Sequence, residues 1–335
     1  MEQGHGKSQP AVSRRNALAS LGVGGAALAV AMTVGPVASA SAVGRTVGAG
    51  AAGGGATAAP ADVQRLFADF FAAKSAHDVG ATMSFFSRDM VEYADGVLGW
   101  TFPNWSALEA LFQQYMPTWP SAARSYSTEI LGGGSGAIVR FTNTPEEFGH
   151  EIRGIAVVDI RDGKFVRWVD YWDGRHFGVD ATAQLRTPAA SFPATFGEAQ
   201  VGEHASRPAD RAITAFATAL AHGDVATATA GLTDDVVLTD LALRSEVVGQ
   251  QSVSGYLTRA VSQLPYGVGS KVRHIVGGSR GGGYEWTNST GPVPRGVSAV
   301  ELTEAGLISR ITAMWDGSLV TPDWITSRTA MTIES

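Results

Sequence analysis

No cysteine occurs in the 335 residues, which excludes disulfides, thiolate zinc sites and cysteine nucleophiles together. Positive charge is also scarce: 25 Lys and Arg stand against 31 Asp and Glu, a net −6. Residues 1–42 hold Lys7, Arg14 and Arg15 against Glu2, or +2, so the remainder carries −8 (−6 minus +2). A surface that acidic repels phosphate backbones, and nucleic acid is not expected as a partner. No Gly-x-Ser-x-Gly elbow or nucleotide fingerprint occurs. The glycine-rich run 277–283 lacks the lysine and the strand-to-helix setting of a phosphate loop, and reads as a flexible hairpin. His150-Glu151 and His176 have no partner at metal spacing. The chain is therefore read as needing neither metal nor cofactor.

What is present suits a globular protein. The hydrophobic fraction is 44% and the charged fraction 17%, enough to build a core, and the length allows two ordinary domains. The first 42 residues read as an address. Ser13-Arg14-Arg15-Asn16-Ala17-Leu18 precedes an apolar, glycine-interrupted run over 19–34, the layout of a secretory signal. The paired arginines resemble the twin-arginine type, although Ala17 stands where that motif has Phe. Cleavage is expected after Ala40 or Ala42. The run is too short and diluted for a membrane anchor, so no stable span is expected once the signal is removed. Residues 43–59 are almost wholly Gly, Ala, Thr and Val and read as a flexible tether.

The rest repeats itself. Pro60-Ala61-Asp62 recurs as Pro208-Ala209-Asp210, His77-Asp78-Val79 as Gly223-Asp224-Val225, and Asp89 with Val91 as Asp235 with Val237. Thr142-Asn143 returns as Thr287-Asn288, Arg153-Gly154 as Arg295-Gly296, and Trp172-Asp173-Gly174 as Trp315-Asp316-Gly317. Each match is weak, but they run in one order, and that order means duplication. The expected domains are 60–183 and 207–325, joined by a linker over 184–206. Each copy opens on an amphipathic helix, with Val63, Leu66, Phe67, Phe70 and Phe71 on one stripe in the first. Further helices are expected over 78–86 and 106–115. The period then changes to two over 127–131, 137–143, 150–160 and 164–172, with turns at Gly132-Gly133-Gly134 and Asp162-Gly163. The fold class is α+β, a curling antiparallel meander wrapped on helices around a concave pocket.

The order of elements, the segment FFSRDMVEYADG over 85–96 and the segment GKFVRWVDYWDG over 163–174 resemble the NTF2-like superfamily. Within it they look like the SnoaL-like and limonene-epoxide-hydrolase-like branch. The resemblance implies two tandem cones, which would form a covalent pseudo-dimer and leave the chain monomeric. It does not fix one chemistry, because that superfamily holds isomerases, cyclases, dehydratases, epoxide hydrolases and plain binders.

The last strand of the first copy carries the candidate chemistry. Alternation puts Val166, Trp168, Asp170 and Trp172 on one face. A carboxylate between two tryptophans would be desolvated and its pKa raised toward that of a working acid or base. The alternative is an Asp170 in solvent at a strand end. Asp170 matches the general-acid aspartate of the epoxide-hydrolase branch. Tyr93 and Asp95, after a one-residue shift, match that branch's water-holding Tyr and Asn, unless Asp95-Gly96 only closes a turn. Arg140 matches its arginine, but Thr142 and Asn143 stand where a second carboxylate belongs. Trp168, Trp172 and Trp100 are expected to line the substrate pocket. Asp173 reads as a turn residue. The second copy has Ala313 at the position of Asp170, so it is expected to be degenerate, without an acid. Taken together, these residues imply a cofactor-free acid/base isomerase, cyclase or epoxide-opening enzyme acting on a small apolar oxygenated molecule. The alternative is a tandem protein that binds a ligand, or only pairs its cones, without turnover.

Overall fold

The computed structural model of the chain describes residues 59–334. The export signal and all but the last residue of the tether lie outside that range. Ala59, assigned to the tether, is buried against the first core and accepts a hydrogen bond from the Gln64 side chain at 2.7 Å.

The first half runs α1 (Ala61–Ser75), α2 (Val79–Met83), β1 (Glu92–Asp95), β2 (Trp100–Phe102), α3 (Trp105–Tyr115), β3 (Ser125–Gly133), β4 (Gly136–Asn143), α4 (Pro145–Phe148), β5 (Ile152–Arg161) and β6 (Lys164–Trp172). The stripe read from the sequence is what α1 buries: Val63, Phe67, Phe70 and Phe71 face the sheet. Helix α2 is shorter than the 78–86 expected. Asp78 caps its start by accepting from the Ala81 amide, and after Met83 the chain turns so that Phe86 bridges to Phe165. Asn104 caps α3, which starts one residue before the expected 106.

The sheet order is β2-β1-β6-β5-β4-β3, and one pairing departs from the all-antiparallel expectation. Strand β1 lies parallel to β6, with Tyr93 opposite Trp168 and Asp95 opposite Asp170. Helix α3 carries the chain to the far edge, and a four-stranded meander brings it back in the direction in which β1 set out. Asp162 and Gly163, both at positive φ, make the last turn of that meander.

After α5 (Val179–Leu185) and α6 (Glu198–Val201) the same order returns. It runs α7 (Arg207–His222), α8 (Val225–Ala230), β7 (Leu232–Asp240), β8 (Ser245–Val248), α9 (Gln250–Ala260), β9 (Ser270–Gly278), β10 (Gly281–Asn288), β11 (Arg295–Leu302), β12 (Ile308–Trp315) and α10 (Pro322–Thr329). The second sheet is ordered β8-β7-β12-β11-β10-β9, again with one parallel pair. The fold is two tandem α+β cones. The register equates Asp95 with Asp240, Asp170 with Ala313 and Arg140 with Glu285. Val91 therefore corresponds to Val236, one residue from the match read in the sequence.

The two cones join through the outer faces of their sheets. Ala94, Ile138, Ile155, Val157, Val169 and Tyr171 of the first pack with Val276, Val297, Ala299 and Met314 of the second. The glycine run 277–283 is not a loose hairpin. A Cβ on Gly278 would come within 2.3 Å of the Gly132 carbonyl, so glycine is what lets the sheets approach. Residues 184–206, expected as a plain linker, form a packed strap. Phe196 and Val201 are buried, Arg295 stacks on Phe192 at 3.7 Å, and Arg273 lies over Phe196 at 4.9 Å.

A charged cluster is sealed in this interface. Arg167 is wholly buried; it bonds Asp159 at 3.2 Å, the Phe196 carbonyl at 2.7 Å, and Glu285 of the second cone. Tyr171 donates to Glu285 at 2.7 Å, and His274 sits between Asp159 at 2.8 Å and Glu203 at 3.2 Å. The two Trp-Asp-Gly motifs also meet. Asp316 accepts from the Gly174 amide at 3.0 Å and pairs with Arg186, while Asp173 caps its own turn at Arg175.

Candidate active site

Inside the first cone the floor is aromatic. Trp168 is ringed by Phe67, Phe70, Phe71, Phe86 and Phe165, with centroids 5.0 to 6.4 Å away. Tyr93, opposite it on β1, stacks on Trp168 at 6.3 Å. Both donate to Asp170: the Tyr93 hydroxyl reaches Oδ2 at 2.6 Å, and the Trp168 indole N–H reaches Oδ1 at 2.6 Å. Tyr93 and Asp170 lie deep in the cone, yet each keeps surface that water reaches.

Burial raises the Asp170 pKa above the ordinary carboxylate value, and the bonds from Tyr93 and Trp168 and the charge of Lys74 partly hold it down. Burial, reinforced by the charge of Asp170, puts the Tyr93 hydroxyl well above its usual range. Tyr93 is thus a neutral donor, and Asp170 a carboxylate that holds a proton more readily than one in water.

Asp95 is engaged differently. Its Oδ1 accepts from the Val97 and Leu98 amides, each at 2.8 Å, and its Oδ2 from the Trp172 indole at 2.9 Å. Burial pushes it up to about 7 despite those three donors. Asp95 closes the turn after β1, as one of the two sequence readings had it. Trp172 and Trp100 pack with Val97, Leu98 and Ile152 under α5, and Trp100 spends its N–H on the Leu185 carbonyl at 3.1 Å.

Arg140 is not part of the site. On β4, Val139 and Phe141 take the inner face, so alternation turns Arg140 outward, where it pairs with Glu129 at 3.0 Å.

The second cone provides an internal comparison. Where the first has Tyr93, Trp168 and Asp170, the same register positions hold Leu238, Ile311 and Ala313. Where it has Asp95 and Trp172, the second keeps Asp240 and Trp315, with the indole again bonding the carboxylate, at 3.1 Å. The second cone therefore does contain a buried acid, contrary to expectation. Asp240 also accepts from the Leu243 amide at 2.8 Å and from Tyr266 at 3.1 Å, and burial pushes it up to about 6. The one-residue slip in aligning the two copies hid it.

Sequence reasoning also missed a polar group inside the first cone. Lys74 donates to Asn143 at 3.2 Å and faces Glu147 at 3.8 Å; the Ser125 hydroxyl lies 2.7 Å from Asn143 Oδ1 and 2.5 Å from Glu147 Oε1, with one proton between the two acceptors. The signal for Lys74 was its position one turn beyond Phe70 and Phe71, on the apolar stripe itself. An open cleft of about 670 Å³ lies outside the cone among Arg88, Trp105, Arg161 and Lys164, but neither Tyr93 nor Asp170 lines it. Among the described residues no cluster suited to a metal ion occurs, and no helix is long and apolar enough to cross a membrane.

No protein-family profile matches the chain, and no curated protein matches it. Solved structures do. A protein of cystatin-like fold from Silicibacter pomeroyi is 18% identical, with a TM-score of 0.31 over 38% of this chain and 85% of its own. An NTF2-like protein from Cytophaga hutchinsonii is 10% identical, with a TM-score of 0.28 over 33% of this chain and 90% of its own. One from Burkholderia xenovorans is 16% identical, with a TM-score of 0.29 over 43% of this chain and 96% of its own. Each of these likenesses spans less than half of this chain.

Proposed function

We propose that the first cone is a cofactor-free acid/base site acting on a small apolar oxygenated molecule, by isomerisation, cyclisation or epoxide opening. Asp170 moves the proton, Tyr93 donates a hydrogen bond, and Trp168 forms the floor. One observation carries this reading. The hydrogen-bonded set Tyr93, Trp168 and Asp170 is replaced as a set by Leu238, Ile311 and Ala313 in a cone with the same strand order. The fold does not need these residues, and a buried carboxylate kept without structural need is a candidate for chemistry. Asp95 and Trp172, present in both cones, belong to architecture.

The test is proton exchange. Enolisable aromatic ketones in deuterated water should exchange their α-protons faster with the protein than without it, and Asp170→Asn should lower that rate by about 10²-fold or more. A second reading, ligand binding without turnover, is favoured by the fact that both Asp170 oxygens already hold donors. No catalysed exchange, with equal ketone binding by wild type and Asp170→Asn, would leave that reading in place.

Export through residues 1–42 belongs to the same proposal. It is supported by the twin-arginine pattern and is tested by sequencing the N-terminus of protein recovered outside the cytoplasm. A start at Met1 would remove it.

A further inference from the structure

Lys74 is an unusual presence for the inside of a cone. It stands on the stripe of α1 that otherwise carries Val63, Phe67, Phe70 and Phe71, and its side chain is 12% exposed. The caps that start α2 and α8, Asp78 and Asp224, align the two halves and place Leu220, fully buried, at the position of Lys74. The partner of Lys74 is private to the first cone as well. Glu147 sits on α4 with its side chain 1% exposed, whereas the corresponding connection of the second cone, residues 289–294, has no acid. A cation and an anion have thus been buried in one cone and not in its copy, at a cost that hydrophobic residues would avoid.

Their hydrogen bonds are incomplete. Glu147 Oε2 is buried and accepts no hydrogen bond, because Lys74 stops at 3.8 Å. Lys74 has three N–H groups. One is on Asn143, one is directed at Glu147, and among the described residues the third meets no oxygen or nitrogen acceptor, only the face of the Trp119 ring, whose centre is 5.7 Å from the ammonium. Lys74 is close enough for its charge to be felt at Asp170. Phe71, one turn before Lys74 on α1, stacks on Phe141 at 6.2 Å and packs against Trp168, whose indole bonds Asp170.

We infer that Lys74 is a specificity residue, which receives the carbonyl oxygen of a neutral, elongated substrate whose apolar body lies along Phe71 and Phe141 toward Asp170. The inference rests on the acid/base reading for what happens at the far end, but not for the binding itself. The charge count selects a neutral acceptor. Glu147 already balances Lys74, and Asp170 adds another acid, so a carboxylate ligand would be a third negative group against one cation. A ketone, ester or quinone oxygen accepts the spare N–H without that repulsion. Helical rise puts Lys74 about 4.5 Å beyond Phe71 along α1, so the carbonyl it holds is remote from the reacting carbon rather than adjacent to it.

The experiment compares three probes of one size by fluorescence titration: 2-acetonaphthone, 2-ethylnaphthalene and 2-naphthoate. Wild type should bind the naphthoate most weakly. In Lys74→Met/Glu147→Gln, which removes both charges together, the ratio of ketone to hydrocarbon affinity should fall by about tenfold, the worth of one hydrogen bond from a charged donor. If that variant does not fold, Lys74→Gln, whose amide is too short to reach the same point, should lower the ratio in the same direction. Asp170→Asn should leave the ratio as in wild type. A ratio that moves less than twofold when Lys74 is replaced, one that collapses in Asp170→Asn, or a preference for naphthoate would each overturn the assignment. The expected ratios would sustain Lys74 whether or not 2-acetonaphthone exchanges, because a carbonyl held at Lys74 keeps its methyl from Asp170; the acid/base reading stands or falls on a diketone whose second carbonyl reaches Asp170, and failure of exchange there would sink that reading alone.

Discussion

Asp95 and Asp240 hold the same register position in the two sheets, and each accepts the indole N–H of the last tryptophan of its own sheet, at 2.9 and 3.1 Å. This carboxylate-to-indole clasp is what duplication preserved, while the neighbouring set around Asp170 was not. The contrast separates structure from chemistry and sets the first two expectations.

Trp172→Phe and Trp315→Phe should cost similar stability, about 1 to 3 kcal/mol each, because each leaves a buried carboxylate one donor short. Urea unfolding measures it. Trp172→Phe should change ketone-probe affinity little; a loss of affinity greater than the loss of stability would return Trp172 to the substrate wall.

Tyr93→Phe removes a donor that favours the charged form of Asp170. The Asp170 pKa should rise further, and the acid limb of the exchange rate should move to higher pH. The rate at neutral pH should fall by about tenfold or more, since the lost bond had a charged acceptor. An unmoved limb would mean that Asp170 is not the titrating base.

How much of this could be read beforehand varied with the kind of signal. Two-residue periodicity put Trp168 and Asp170 on one face, while Tyr93 joined them only through the family resemblance; the parallel pairing of β1 with β6 is what brings its hydroxyl to Asp170. Arg140 rested on the family resemblance alone, and the phase of β4, with Val139 and Phe141 inward, turns it out. Collinear motifs revealed the duplication but not its register, and one residue of slip concealed Asp240. Lys74 and Glu147 come from a helix end and a four-residue helix, and nothing in either segment announces that they meet. The parallel placement of β1 was also hidden, because it follows from where a meander ends and not from any local pattern.

Arg167→Met should destabilise the protein by about 3 to 5 kcal/mol, because Glu285 would remain buried without its cation and Asp159 would keep only His274. Arg140→Met breaks a pair in which both side chains reach solvent and should cost about 1 kcal/mol or less. Equal costs in a urea titration would contradict the burial difference between the two.

Stability should fall as pH rises from about 4 to 9. Asp95, held at about 7, and Asp240, at about 6, keep protons that the unfolded chain releases near 4, so the folded state loses ground until those values are passed. His274 acts in the same direction higher up. Burial alone would lower its pKa, but the bonds to Asp159 and Glu203 outweigh it and hold it at about 9. Its contribution is complete below 6.5 and lost as pH passes 9. Each pH unit of raised pKa is worth roughly 1.4 kcal/mol per group. His274→Gln should flatten the stability curve between pH 6.5 and 9 and leave the limb below it; an unchanged upper limb would show that His274 does not hold its proton.

The sealed cluster around Arg167 also decides which cone can sit against which. The register gives Arg140 the place in the first cone that Glu285 has in the second, and Glu129 the place of His274. Two copies of the first cone brought face to face would set Arg167 against Arg140 and Asp159 against Glu129. Like charges would then meet where water cannot screen them. Two second cones would instead set Arg310 against Glu285 and Glu301 against His274, so the charge order penalises only the pairing of first cone with first cone. The exchange of Arg140 for Glu285, and of Glu129 for His274, is thus what turns a face that would repel its own copy into one that the tethered neighbour completes.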